Sequence, residues 1–303
     1  MGCTFYSYGT SRSKSRHGID TRRYSHHEEG VRKLDKKRLA LPYVIWAGIF
    51  VVVPVLIILY YSFFEKGIFT LQGYKQVLNP RYLGNIMDSI GIAFISTVIC
   101  LVLAYPLAMI LSSKEMSAKG IILLLVILPM WMNSLLRTYA WGYLLQDTGV
   151  VNSLLSSMGL PTMQFLYKKS AIVFGNVYNF FPFMVLPIYN VLCKIDKNVI
   201  EASYDLGADK FTTFKRIILP LSMPGVITGI VMVFMPALTT FLVSRLLGGG
   251  KTTLLGDLIE QQFNKTGDWA FGSALSVILM VIILITLVFM SKKDSFDKGG
   301  GLF

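Results

Sequence analysis

Few side chains in this sequence have types and spacings that could do chemistry. Gly248-Gly249-Gly250-Lys251-Thr252 has the composition of the end of a phosphate-binding loop. That loop needs a glycine where Arg245 stands and a strand ahead of it, so the run reads as a turn. His26-His27 beside Glu28-Glu29 has metal-ligand types but sits in a polar, basic stretch that reads as a solvated tail. Cys3, Cys100 and Cys193 are too few and too scattered for a disulfide framework or a zinc cluster. Neither a metal nor a cofactor is therefore expected. Asn176, Asn179 and Asn190 are three and eleven residues apart, which brings them to one helix face at about 100° per residue. Such amides either bond a neighbouring helix or line a polar pathway, and both readings stay open.

The elements that must carry these residues are membrane helices. Of the 303 residues 53% are hydrophobic and 15% are charged, against about 25% charged in a soluble domain. Mean hydropathy is +0.57. This composition excludes a soluble enzyme with a charged shell, a disordered chain and a disulfide scaffold. A helix needs about 20 apolar residues to cross a bilayer. Runs free of charge cover Leu39–Phe64, Ser89–Ser113, Gly120–Leu136, Ser170–Cys193, Ile217–Ser244 and Trp269–Ser291. The third has 17 residues before Arg137 and is expected to continue past it, with the guanidinium reaching towards the interface. The expected fold is all-α and polytopic, with six transmembrane helices. Its parts are a basic tail at 1–40, a six-helix transmembrane body at 41–291 and a tail at 292–303.

Ten of the 29 Lys and Arg residues lie in the first 38 positions. The side of the membrane that holds both termini, Lys114–Lys119 and Lys194–Arg216 carries 20 basic residues, and the other side nine. The basic side is the cytoplasmic one, so a multi-pass protein with both termini in the cytoplasm is expected. The first apolar run is too long for a signal peptide and lacks a small-residue cleavage site. The basic tail suits an anionic inner leaflet, or an extension ahead of the natural start.

Pro54, Pro106, Pro129, Pro182, Pro187, Pro224 and Pro236 all fall inside the apolar runs. Each removes a backbone donor and bends its helix, which suits kinked packing helices or helices that hinge during transport. Gly225 and Gly229 form a small-xxx-small pair fit for close helix contact. No Asp, Glu, His or Lys lies within any of the runs. Ion-driven transporters and proton pumps need such relays, so that energy source is not expected. Any ATP must be hydrolysed by another subunit, and the chain itself is expected to be no enzyme.

The connection after the fourth run reads Ile200-Glu201-Ala202-Ser203-Tyr204-Asp205-Leu206-Gly207-Ala208 and leads to Ile217-Ile218-Leu219-Pro220. Val199–Leu206 is expected as a short amphipathic helix with Glu201 early in it, where the dipole favours an acid. Gly207 ends it in the left-handed conformation. A second helical stretch, Asp209–Ile218, then enters the fifth run.

This segment, within 194–220, resembles the EAA signature of ABC importer permeases: Glu-Ala-Ala, three residues, Gly, nine residues, then Ile-x-Leu-Pro. Glu201, Ala202, Gly207, Ile217, Leu219 and Pro220 match, and Ser203 replaces the second Ala. Leu128–Tyr139, Phe180–Tyr189 and Asp268–Gly272 are similar to the branch of that family that imports the polyamines spermidine and putrescine. The resemblance implies a MetI-like permease fold and half of a transmembrane path in a bacterial cell membrane. It also implies ABC ATPase subunits docking on the loop, a second permease subunit, an extracytoplasmic polyamine-binding protein, and no nucleic acid. Other solutes handled by the family, such as sulfate, ferric iron or a phosphonate, remain alternatives. A passive channel or a membrane scaffold is a more distant one.

A polyamine needs carboxylates or aromatic faces for its ammonium groups. Asp257 and Glu260 are three apart on one side of a short helix below the glycine turn, although Arg245 nearby would repel a cation. Trp141, Tyr178 and Trp269 are the aromatic candidates, and the asparagine stripe completes the expected path.

Overall fold

The computed structural model describes residues 42–65, 67–113 and 119–298. The basic tail at 1–40, with its paired histidines, lies outside the described residues, as do 299–303. In chain order the elements are α1 (Pro42–Phe63), a two-stranded hairpin (Phe64–Glu65 with Ile68–Phe69), α2 (Gln72–Val77), α3 (Pro80–Ser112) and α4 (Lys119–Trp131). There follow α5 (Ser134–Leu144), α6 (Val150–Ser157), α7 (Lys169–Leu192), α8 (Lys197–Asp205) and α9 (Lys210–Thr239). The chain continues through α10 (Leu242–Gly248), α11 (Leu255–Gln261) and α12 (Trp269–Lys298). Among the described residues five helices, α1, α3, α7, α9 and α12, are long and apolar enough to cross a membrane, and the bent pair α4–α5 makes a sixth if taken as one span.

The centre is built from α3, α7 and α9. Cys100, Ala104, Ala108 and Leu111 of α3 are spaced four, four and three apart and pack on Met184, Val185 and Ile188 of α7. Lipid is as apolar as leucine, so helices in a bilayer associate through close backbone approach. Gly225 and Gly229 provide it, as their spacing suggests. A Cβ on Gly225 would sit 2.8 Å from the Pro187 carbonyl, and one on Gly229 2.7 Å from the Met184 sulfur. α1 lies along α12 with its apolar side chains mostly exposed, as a helix facing lipid must be.

Three expectations need correction. The third run does not pass straight through: it breaks at Met132-Asn133, and α5 leaves α4 at 98°. Asn133 starts a new helix there, its side-chain oxygen accepting from the Leu135 N–H at 2.8 Å. Arg137, expected to reach away towards the interface, is instead buried against the chain at 8% exposure and donates to the Pro129 carbonyl. The fifth run also ends early, at Thr239, and Ser244 belongs to the separate helix α10. At the ends the helices outrun the apolar stretches. α3 has 33 residues, about 50 Å at 1.5 Å per residue, and its first turns stand clear of the apolar run. α12 continues to Lys298, beyond the expected end at Ser291.

Candidate functional site

The expected coupling loop forms a projecting knob. Asp196 caps α8, accepting from the Asn198 N–H at 3.0 Å, so the helix starts at Lys197 rather than Val199. Glu201 is therefore mid-helix and exposed, and the dipole argument passes from Glu201 to Asp196. The far end is as expected. Gly207 has φ +82°, its N–H bonds to the Tyr204 carbonyl at 2.9 Å, and the Ala208 N–H bonds to the Ser203 carbonyl at 3.0 Å. These two bonds are a Schellman motif, which needs a residue free to turn left-handed. Asp209 then caps α9, and its hydrogen bonds, led by Thr212, hold its carboxyl below the usual range.

Ala202 and Asp205 face outward beside Glu201, while Ala208 is half-buried at the corner. Leu206 is 88% exposed and Phe211 69%, an apolar tip that nothing in this chain covers among the described residues. Ser203, the departure from the signature, faces inward. Ile217, Leu219 and Pro220 follow in α9, where Phe214–Ile218 forms a wider π-helical turn.

The path candidates divide into two groups. On α7, Asn176 and Asn179 are buried, whereas Asn190, beyond Pro182 and Pro187, is exposed. α5 brings Thr138 to within 3.5 Å of the Asn179 amide. Trp141 meets the Tyr178 ring edge-on with centroids 5.2 Å apart, and Arg137 lies 5.8 Å from the centre of the same ring. Sequence reasoning missed Arg137 here because its burial depends on the corner between α4 and α5. The guanidinium occupies one Tyr178 face that a substrate ammonium would otherwise use.

The second group lies between α9 and α12. Asp257 is 4% exposed, accepts from Ser244 Oγ and from the Leu254 N–H, and sits 3.8 Å from Arg245 Nη2. Glu260 pairs directly with Arg245. Burial raises the Asp257 carboxyl above its ordinary value, while the Arg245 hydrogen bond holds Glu260 below. The two acids are together, as their spacing implies, but gathered around the cation that sequence reasoning expected only to interfere. Trp269 stands apart from Trp141 and Tyr178, packed on Tyr61 and Phe263.

The glycine run is a turn. Gly249 and Gly250 have φ +60° and +73°, and a Cβ on Gly249 would collide with the Tyr167 ring. A groove of about 780 Å³ between α3 and α7 is lined by Met87, Ile92, Ile95, Ile99, Val173 and Phe174. The carboxylate on its wall, Asp88, is already paired with Lys169 at 2.6 Å. Among the described residues no group of three His, Cys, Asp or Glu could hold a metal.

Residues 104–293 match the profile of the family described as the binding-protein-dependent transport system inner membrane component. The spermidine/putrescine transport system permease protein PotB of Escherichia coli is 40% identical over 263 residues, which is 84% of this chain and 96% of that one. The fold matches a chain in the crystal structure of a bacterial ABC transporter involved in the import of alginate, with TM-score 0.76 and 17% identity over 88% of this chain and 96% of that one. It also matches one in a bacterial alginate ABC transporter in complex with a pentasaccharide-bound periplasmic protein, with TM-score 0.74 and 17% identity over 87% and 94%. The match over more than half of the chain and the 40% identity across nearly all of a relative lead to one conclusion: this multi-pass membrane protein belongs to the binding-protein-dependent transport system inner membrane component family, the permeases of ABC importers.

Proposed function

We propose that this chain is the permease subunit that forms half of the transmembrane path of a spermidine/putrescine importer. The observation that carries the substrate is the 40% identity to the PotB permease, spread over 84% of this chain. The observation that carries the mechanism is the knob at α8, whose apolar tip at Leu206 and Phe211 is left uncovered. ABC ATPase subunits dock there, on the cytoplasmic side, and their closure on ATP moves the knob. A second permease completes the path, and a polyamine-binding protein delivers the solute from outside. The excess of basic residues on one side supports both termini in the cytoplasm, with 1–40 as a tail on the inner leaflet. The chain performs no chemistry of its own. The proline-containing helices α3, α7 and α9 reorient to alternate access to the path.

The decisive experiment is uptake of labelled spermidine and putrescine by cells lacking the gene, with and without the chain restored. Restored uptake that depends on ATP supports the reading. Restoration of sulfate, ferric iron or phosphonate uptake instead would assign the same machine to another solute, and ATP-independent flux would point to a channel.

A further inference from the structure

Ser203 is the one residue of the signature segment that departs from the family pattern, and its side chain joins two parts of the knob. It is buried, as is Thr213 in the first turn of α9, and the two hydroxyl oxygens are 3.0 Å apart. Ser203 Oγ also lies 2.7 Å from the Ile200 carbonyl and spends its single proton there. Thr213 is therefore the donor and Ser203 Oγ the acceptor, which leaves neither buried hydroxyl unpaired.

The placement of this bond matters more than its strength. Thr213 is the last residue before the π-helical turn Phe214–Ile218, and such wide turns are weak points in a helix ladder. Tyr105 of α3 holds α9 both at the start of that turn and beyond its end. Its ring meets Phe214 edge-on at 5.8 Å, and its hydroxyl lies 2.9 Å from Ser222 Oγ. Tyr105 directly precedes Pro106, the proline within α3.

We propose that Ser203 is a positioning residue for transport. Its bond to Thr213 makes α8 and the start of α9 one rigid body. Displacement of α8 is thus delivered across the π-helical turn to Tyr105 and the proline of α3, rather than lost by rotation about Gly207. This rests on the reading of α8 as the docking element for the ATPases.

The test uses the importer assembled with its ATPases and second permease, and reads ATP hydrolysed per polyamine imported. Ser203→Ala introduces the residue that the signature itself has, so the loop still forms. It should raise ATP used per solute about three- to tenfold, the scale set by one lost hydrogen bond, with ATPase co-purification unchanged. Thr213→Val should do the same, Thr213→Ser should keep the original ratio, and the double variant should be no worse than the worse single one. An unchanged ratio in both singles, or additive effects in the double, overturns the proposal. Gly207→Val in the same assay separates the two readings. If it transports normally, α8 is not the docking element; if it fails while Ser203→Ala is unaffected, the hydrogen bond alone is excluded.

Discussion

The guanidinium of Arg137 donates to the Pro129 carbonyl and so closes the corner at which the third apolar run turns by 98°. The carbonyl lies in the last turn of α4 and the donor in the first turn of α5, so one side chain ties both arms. Removing it costs the corner one charge-assisted hydrogen bond, worth about 1.5–3 kcal/mol, and leaves the Pro129 carbonyl with only the Met132 N–H at 3.2 Å. Arg137→Ala should lower the unfolding temperature in detergent and speed proteolysis at Met132-Asn133. Arg137→Lys should restore part of the loss, because the corner uses a single side-chain N–H, which an ammonium also supplies. Equal stability of the alanine variant and the parent would show that the corner does not need this bond.

Local features were legible in the sequence and non-local ones were not. Long charge-free runs fix spans because lipid tolerates nothing else, and the end of α8 was readable because a Schellman turn is written in one glycine. The break at Asn133 was hidden by a run that stays apolar on both sides, with only the Asn133-Ser134 pair as a helix-start signal. The surroundings of Asp257 could not be read at all. The Leu255 N–H that anchors α11 bonds to Ser89 Oγ, 166 residues away in sequence, and Ser244 reaches Asp257 only because α9 stops at Thr239. The N-cap at Asp196 is written in the sequence too, but Glu201 in the signature is the more conspicuous acid and draws the dipole argument to itself.

Gly207 should tolerate no β-branched residue. Its φ of +82° costs an ordinary residue about 1–2 kcal/mol, and valine more. Gly207→Val should insert into the membrane normally, yet lose uptake and ATPase co-purification. Glu201→Gln should also lose ATPase binding while α8 stays intact, since Glu201 is exposed and caps nothing. Normal transport by both variants would separate the loop from coupling.

The two glycines of α9 should differ. The Cβ added at Gly225 meets the Pro187 carbonyl, which is backbone and cannot step aside, whereas that at Gly229 meets the flexible end of Met184. Overpacking of this kind costs about 1–3 kcal/mol. Gly225→Ala should therefore lower the detergent unfolding temperature clearly more than Gly229→Ala. The reverse order would mean that α7 and α9 do not meet along this line.

Topology follows from the distribution of 20 basic residues on one side and nine on the other. Reporter fusions within 194–216 should read as cytoplasmic and fusions within 65–88 as external. Because α4 and α5 turn at Met132-Asn133, fusions after Gln146 give the informative third reading. An external signal there means that the bent pair still crosses the membrane. A cytoplasmic signal reduces the spans by one and reverses everything downstream.

Asp257 and Glu260 bear on the solute. Both face Arg245, so an ammonium group enters by displacing a guanidinium from carboxylates that are already gathered. The two acids respond oppositely to pH. Glu260 is held below its ordinary value by Arg245, so the stability from that pair is full above the unfolded carboxylate pKa and is lost as pH falls through the folded value. Asp257 is raised by burial, so its protonated form is favoured in the fold, and that contribution is full at acid pH and lost as pH rises through the raised value. On acidification Asp257 is thus neutralised first, while Glu260 still holds Arg245. If the acids bind the solute, uptake should begin to fall in the range where Asp257 takes up its proton, ahead of any loss of assembly. Asp257→Asn with Glu260→Gln should cut polyamine uptake by about tenfold or more, the scale of losing one charge-assisted hydrogen bond. The same double variant should assemble normally and lose that acid limb. The amide that replaces the Asp257 carboxylate can still accept from Ser244, and Arg245, 38% exposed, can turn to water. Uptake kinetics and a pH profile unchanged in the double variant would remove both acids from the path and make the Arg245 cluster a fastening for α10 and α11.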